Sequence, residues 1–291
     1  MMRNLLPILT VVATIFALWY GAAIALNAPW AKDKATRAGV ELSFSELVAD
    51  TWSQKKPKLP APHQVGAEIW KTTGAMVLKG RGFSKRSLFY HSWVTFSATA
   101  LGFLLGTILG TLLAIGIVYN RTMDMSVMPW VIASQTIPII AIAPMIIVVL
   151  NAVGISGLLP KAMISMYLSF FPVVVGMVKG LRSPSAMQLD QVRTWNASAA
   201  QTFWYLRLPS SMPYLFTSLK IGIAASLVGA IVGELPTGAV AGLGARLLAG
   251  SYYGQTIQIW SALLMAAALA ALMVGIIGMV QRYTLRRMGM A

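Results

Sequence analysis

Few side chains in this sequence are of the types that carry out catalysis or hold a metal ion. There is no cysteine, so disulfide bonds and thiolate metal sites are excluded. The two histidines, His63 and His91, are too few for a histidine-based metal centre. The phosphate-binding pattern G-x-x-x-x-G-K-[ST] is missing, since Gly80-Arg81-Gly82 lacks its ending. With neither paired carboxylates nor a Ser/His/Asp set in the apolar segments, the sequence predicts a protein that is not an enzyme and binds no cofactor or metal.

A small set of polar and helix-breaking residues lies inside the apolar segments. Glu234 is the only acid there, at the end of one segment, and Gln135, Thr136 and Pro138 interrupt another. Polar groups at membrane depth usually face the bundle interior or a cavity. These four residues are therefore candidates for a translocation path or gate. The alternative for each polar side chain is an ordinary interhelical hydrogen bond.

A second group of candidates lies in the polar loop before the apolar segment 213–235. Ala197, Ala200, Phe203 and Trp204 recur at helical spacing, which predicts a short helix with one apolar face. A groove on a partner protein would bury such a face. The alternative is an amphipathic helix that lies on the bilayer.

Two residues are expected to shape this loop. Asn196 tolerates the left-handed conformation and is predicted to turn the chain between two short helices. Pro209 is predicted to end the second of them.

The composition predicts that the elements carrying these residues are membrane helices. Of 291 residues, 57% are hydrophobic and only 11% are charged, which is too apolar for a soluble fold. The net charge of +15 does not indicate nucleic-acid binding, because the basic residues lie between apolar runs rather than in RNA-type motifs. Topology and anionic lipid headgroups account for them more simply.

Six segments are apolar and long enough to cross a membrane. They are residues 5–28, 91–119, 127–150, 158–179, 213–235 and 258–281. Alternation places both termini and the arginine-containing short connections on one side, which the positive-inside rule makes cytoplasmic. The first segment is interpreted as a retained helix, with a cleaved signal peptide as the alternative.

The long segment 29–88 falls on the outer side, although it is rich in basic residues. Long loops translocate largely regardless of charge, so this conflict with the rule is tolerated. Leu59-Pro60-Ala61-Pro62 is predicted to break regular structure between two amphipathic helices, Phe44–Trp52 and Val65–Val77, that lie on the membrane. On the second span, Gly102, Gly106 and Gly110 predict close packing, either within the chain or at a subunit interface.

The spacing from Asp190 to Pro209 resembles the EAA loop of binding-protein-dependent ABC importer permeases. That pattern reads E-A-A, three residues, G, nine residues, I, one residue, L-P. Here Asp190 stands at the Glu position, Asn196 at the Gly position and Leu206 at the Ile position, and Leu208-Pro209 match the ending. Gln191-Val192 departs from Ala-Ala.

Other motifs resemble the nitrate/taurine/sulfonate branch of these permeases. They are Leu59–Pro62, the glycine ladder, Thr136-Ile137-Pro138 with Pro144, and Gly233-Glu234 followed by Gly242-Leu243-Gly244. Gly233–Gly238 is similar to the pyrimidine-related group within that branch. The resemblance covers about residues 59–281.

The resemblance implies an all-α membrane protein of the type I ABC importer permease class, with six transmembrane helices and an EAA-type cytoplasmic coupling loop. Residues 1–88 would form an N-terminal transmembrane helix and a periplasmic amphipathic segment. Residues 89–291 would form a five-helix permease core with the coupling loop at 180–212. The chain would be a multi-pass protein of the bacterial inner (plasma) membrane.

It further implies import of a small polar organic or anionic solute, either nitrate-, sulfonate- or taurine-like or pyrimidine-like. The expected partners are ABC ATPase subunits that bind the ATP, a periplasmic substrate-binding protein, a second permease copy in a homodimer, and membrane lipid. The residues expected to couple to the ATPase are Asp190, Arg193, Thr194, Trp195, Asn196, Ala197, Ser198, Leu208 and Pro209. The alternative is a secondary transporter or channel that works without an ATPase, although no acid lies at mid-span.

Overall fold

The computed structural model describes residues 2–236 and 239–290, with side chains from Leu6 onward. The described residues form helices and no strand. In chain order the helices are α1 Met2–Arg37, α2 Phe44–Ser53, α3 Pro62–Thr72, α4 Gly74–Leu78, α5 Leu88–Tyr119, α6 Arg121–Ser134, α7 Ile139–Ala152, α8 Leu158–Leu181, α9 Ala186–Thr194, α10 Ala199–Thr202, the π-helical turn Phe203–Arg207, α11 Leu208–Glu234, α12 Leu243–Tyr252 and α13 Thr256–Arg287.

Five helical stretches are long and apolar enough to cross a membrane, and a bent pair of helices brings the number to six if it counts as one span. The bent pair is α6 and α7, which meet at 100°. The span predicted at 127–150 is thus present as this bent pair of helices rather than as one straight helix. The helix ends at Ser134 and restarts after Pro138, because proline has no N–H to donate and disfavours helical conformation in the residue before it.

The chain divides into two compact units, Met1–His91 with Ala245–Ala266, and Ser92–Gly244 with Ala267–Ala291. In the first unit, the buried side chain of Asn27 fixes the irregular segment between α2 and α3. Its Oδ1 accepts from the N–H of Lys58 at 2.8 Å and of Leu59 at 3.3 Å. Its amide donates to the carbonyl of Leu59 at 2.8 Å. The predicted break at Leu59–Pro62 is confirmed, and α1 continues through Pro29 to Arg37, beyond its predicted end.

Further bonds join this irregular segment to α1 and to the second part of the first unit. Trp19 Nε1 donates to the Pro60 carbonyl at 3.0 Å, and Thr256 Oγ1 donates to the Pro57 carbonyl at 2.6 Å. On α12, burial lowers the pKa of Arg246, and the carboxylate of Glu68 on α3 opposes that shift. The charges of Arg246 and Glu68 therefore attract each other across the two parts of the first unit.

In the second unit, α8 lies against both α5 and α11 at sites where only a glycine fits. A Cβ added at Gly102 or Gly106 would overlap Ser165 or Ser169 of α8, and one added at Gly110 would lie 2.8 Å from the Phe170 carbonyl oxygen. The glycine ladder is thus used for packing within the chain. A small residue at each of these positions lets the helix backbones approach closely, as is common in membranes.

This packing predicts a difference between two glycines in apolar helices. Gly106→Ala should lower the stability of the folded protein by about 1–3 kcal/mol, because the new methyl group overlaps α8. Gly275→Ala in α13, where a Cβ meets no atom within 4 Å, should be neutral or slightly stabilising. Thermal unfolding in detergent compares the two variants, and equal melting temperatures would contradict the packing described above.

Candidate functional site

The loop between α8 and α11 is built from two short helices that each begin with a capping box. At the first, the Ser185 N–H donates to Gln188 Oε1 at 2.9 Å and the Gln188 N–H donates to Ser185 Oγ at 3.3 Å. At the second, Ser198 and Gln201 form the same pair of bonds at 2.8 and 3.2 Å. The serine-x-x-glutamine spacing was available in the sequence and was overlooked. These reciprocal bonds fix where each helix starts.

Asn196 turns the chain between the two helices, as predicted. Its φ is 55°, and it is the one non-glycine residue with a positive φ in the part of the chain that the structure describes. The Ala197 N–H then donates to the Val192 carbonyl at 3.0 Å, which closes the end of α9. Asparagine replaces the glycine of the family pattern here because it adopts the left-handed conformation more readily than other side chains.

Pro209 does not end the second helix, so that prediction was wrong. The chain stays helical from Ala199 through the π-helical turn into α11, and Pro209 lies in the first turn of α11. In the π-helical turn the Leu208 N–H donates to Phe203 O, five residues back. Proline has no N–H to donate into the preceding turn, and the wider π-helical turn directly before it accommodates its ring without ending the helix. The second half of the loop, from Ala199 onward, is therefore continuous with the membrane span.

Three aromatic side chains of the loop are exposed, and a fourth packs on the core of the protein. Trp195, Trp204 and Tyr205 are 69%, 62% and 82% exposed. Phe203 instead packs on the buried core, with its ring 6.1 Å from that of Tyr119. The prediction that Phe203 belongs to the exposed apolar face was wrong. A groove of about 480 Å³ on the loop is lined by Gln188, Gln191, Val192, Trp195, Ala197, Gln201, Tyr205 and Leu206.

The remaining predicted coupling residues either stabilise the loop or anchor it. Arg193 pairs with Asp190 at 3.1 Å on the exposed side of α9, and Thr194 Oγ1 donates to the Asp190 carbonyl at 3.0 Å. Leu208 packs on the buried core. Arg207, which was not singled out as a coupling residue, donates to the Leu181 carbonyl at 2.7 Å and attaches the loop to the end of α8.

Glu234 lies at the opposite end of α11 and is fully buried. Its carboxylate accepts from Thr95 Oγ1 at 2.9 and 3.1 Å, and from the Gly244 N–H at 2.7 Å. Thr95 Oγ1 in turn accepts from the Leu243 N–H at 2.8 Å. These bonds attach the start of α12 to α5 and α11, and we call this group of residues, Thr95, Glu234 and Gly242–Gly244, the outer latch.

The outer latch requires glycine at both ends of Gly242–Gly244. Gly242 has φ +129°, and a Cβ there would overlap the Glu234 carboxylate. A Cβ at Gly244 would lie 2.9 Å from Glu234 Cβ. In the sequence, Gly242-Leu243-Gly244 was identified as a motif. It was not predicted that this segment buries Glu234.

Lys161 and Thr95 were also missed. Lys161, at the start of α8, is only 8% exposed, and its positive charge offsets part of the cost of burying Glu234. A lysine at the end of an apolar run resembles an ordinary interfacial residue, so no local pattern distinguishes Lys161 in the sequence. Thr237 and Gly238 of the Gly233–Gly238 motif lie outside the described residues.

The other predicted path residues share the bend between α6 and α7. Gln135 is half-buried and donates to Ser134 Oγ at 3.3 Å, while Thr136 and Pro138 are exposed. Tyr167 of α8 donates a hydrogen bond to the Ser134 carbonyl, which the bend leaves without a helical partner. The bend is thus attached to α8 through a side chain.

Several apolar spanning helices and a polar loop built from two capped helices are the arrangement expected of a membrane permease. Comparison with known proteins agrees. The chain belongs to the family described as the binding-protein-dependent transport system inner membrane component, which matches residues 102–290. It is therefore the permease subunit of an ABC importer, a multi-pass protein of the inner membrane and not an enzyme, as predicted.

Curated relatives support the same assignment. The chain is 32% identical over 186 residues to the formylaminopyrimidine transport permease protein ThiX of Halalkalibacterium halodurans, covering 64% of this chain and 68% of that protein. It is 28% identical to the riboflavin transport system permease protein RibX of Chloroflexus aurantiacus over 78% of this chain and 80% of that one. The taurine transport system permease protein TauC of Escherichia coli is 24% identical over 64% of each chain.

The outer latch yields a test that separates a clash from backbone strain. Gly242→Ala should destabilise the protein by about 1–3 kcal/mol more than Gly154→Ala. Gly154 also has a positive φ, +80°, but nothing lies within 4 Å of an added Cβ. Thermal unfolding measures both, and Gly242→Ala should do less harm in a Glu234→Ala background, where the carboxylate that it strikes is gone. Additive effects of the two changes would contradict the latch.

Proposed function

We propose that this permease is driven by an ATPase subunit that docks on the Asp190–Pro209 loop. The observation that carries the proposal is the exposure of Trp195, Trp204 and Tyr205 on a loop whose backbone is fixed by two capping boxes and by Asn196. Large aromatic side chains around a groove are typical anchors of a protein interface. ATP would be bound and hydrolysed by that partner, and this chain would hold no cofactor.

The continuity of the loop with α11 gives the docked ATPase a mechanical connection to the outer latch. The π-helical turn passes directly into α11, whose 27 residues end at Glu234. A helix of that length extends about 40 Å, which is enough to cross a bilayer. A movement imposed on the loop would therefore reach the latch along one rigid element.

Glu234 is proposed to hold the outer gate in the conformation described here. Its bonds to Thr95 and Gly244 must break before the start of α12 leaves α11. The path at the bend is proposed to be lined by Gln135, Thr136 and Pro138. The side chain of Gln135 is half-buried there and bonds to its neighbour Ser134 rather than to another helix. Two copies of the chain would form the pathway, as the family resemblance implies.

The transported solute is proposed to be a small polar organic or anionic molecule. This rests on relatives named for transport of formylaminopyrimidine, riboflavin and taurine. The identity to the formylaminopyrimidine permease and the Gly233–Gly238 motif favour a pyrimidine-like solute over an inorganic anion.

The docking proposal predicts the effect of a charge in the groove of the loop. Ala197→Asp should leave membrane insertion intact, yet abolish ATP-driven uptake, because an unpaired charge buried in an interface is expensive. Uptake is measured in proteoliposomes that contain the chain, its ATPase subunits and its binding protein. The labelled solute is the one that a thermal-shift screen of the binding protein identifies. Ala38→Asp, in an exposed position outside the loop, is the control.

Two results of that experiment would contradict the proposal. The first is uptake by this chain alone, without ATPase subunits, under an ion gradient, which would indicate a secondary transporter. The second is normal ATPase association with the Ala197→Asp variant.

The gate proposal predicts a separation between folding and coupling. Glu234→Gln keeps a side chain that accepts one of the hydrogen bonds, so the variant should fold and assemble with the ATPase. With the charge-assisted bonds weakened, ATP hydrolysis is expected to rise several-fold without a matching rise in uptake. Parallel loss of expression and uptake would show that Glu234 only stabilises the fold.

A further inference from the structure

The segment that leads into α5 combines basic and apolar side chains and contains no acid. Residues 77–86, here called the 77–86 loop, include Lys79, Arg81, Lys85 and Arg86, all of them exposed. None of these four forms an ion pair with any residue in the described ranges. The same loop contains Leu78 and Phe83, which are 80% and 72% exposed. The coupling loop and the outer latch are built from other residues.

The backbone of the loop is held in place by its own hydrogen bonds. The Arg81 N–H donates to the Met76 carbonyl at 2.8 Å, and the Ser84 N–H donates to the Arg81 carbonyl at 3.0 Å. The imidazole Nε2 of His91 lies 3.0 Å from the Lys85 carbonyl oxygen. Gly80, with φ +67°, ends α4. The basic and apolar side chains therefore project from a backbone of defined shape.

The position of the loop along the chain places it at the surface of the bilayer. The membrane-spanning helix α5 begins at Leu88, two residues after Arg86. Exposed Phe89 and Trp93 in its first turns are typical of the aromatic belt at the level of the lipid headgroups. At that level exposed Leu and Phe side chains insert among acyl chains, while Lys and Arg reach the phosphates.

We propose that the 77–86 loop is a binding site for anionic phospholipid headgroups in the leaflet next to the start of α5. Lys79, Arg81, Lys85 and Arg86 supply the positive charge, and Leu78 and Phe83 fix the depth of the loop in the interface. The periplasmic substrate-binding protein is a less suitable occupant, because apolar side chains directly beside a membrane span are next to lipid. The proposal is independent of the transported solute and of the ATPase.

The test uses the full chain in nanodiscs of mixed phosphatidylglycerol and phosphatidylcholine, with the retained lipids counted by native mass spectrometry. The variant carries Lys79→Gln, Arg81→Gln and Lys85→Gln. The control carries Lys32→Gln, Lys55→Gln and Lys58→Gln, which remove the same charge from exposed positions in the same unit. Each basic residue near an anionic surface contributes about 1 kcal/mol, or about fivefold in affinity. With three such charges removed, the variant is expected to lose about a hundredfold of the selectivity for phosphatidylglycerol, and the control to keep it.

Two measurements support the test without the triple variant. Raising the salt concentration should reduce the selectivity of the unaltered chain, since exposed charges are screened. Phe83→Ser should make a fluorophore on a cysteine introduced at Ser84 less accessible to quenchers in the acyl chains, a measurement made simple by the absence of native cysteine. Equal selectivity in the variant and the unaltered chain would overturn the proposal. The proposal would also be overturned if the triple variant kept its lipid selectivity but its ATPase were no longer stimulated by the binding protein. The 77–86 loop would then be a docking site for the binding protein.

Discussion

A carboxylate that is removed from water has to be surrounded by hydrogen-bond donors or by positive charge. Glu234 meets that requirement with Thr95, the backbone of Gly244 and the nearby charge of Lys161, and the arrangement of the outer end of the bundle follows from it. The chain after α11 must return to within a hydrogen bond of the carboxylate. Residues 242 and 244 must then lack a side chain, because the backbone lies directly on the acid.

The same reasoning explains the irregular parts of the spans. In lipid a backbone carbonyl without a helical partner is costly, so helix breaks survive only where another group satisfies them. At the bend between α6 and α7 the hydroxyl of Tyr167 does so for Ser134, and at the end of α8 the guanidinium of Arg207 does so for Leu181. The positions where the helices depart from regularity are also the positions where the chain is attached to α8.

Features that depend on local physical chemistry could be predicted from the sequence, and features that depend on distant partners could not. The turn at Asn196 and the break before Pro62 follow from the conformations that single residues tolerate, and both were predicted. The sequence also identified Glu234, but its partner Thr95 lies 139 positions away, and no local pattern connects the two. Pro209 was misread because a proline usually marks the end of a helix, whereas here the wider π-helical turn directly before it accommodates the proline within a continuous helix.

The π-helical turn between α10 and α11 has a further consequence. Such a turn holds one residue more than the α-helical turn that it replaces, and each residue of an α-helix corresponds to about 100° of rotation. The π-helical turn Phe203–Arg207 therefore sets the angle at which the side chains of the loop project relative to those of the span. Tightening this one turn to α-helical bonding would rotate Trp195 and its neighbours about the axis of α11, once the Arg207–Leu181 bond and the packing of Phe203 on the core are released. A swivel of this kind requires no unwinding of the helix inside the membrane.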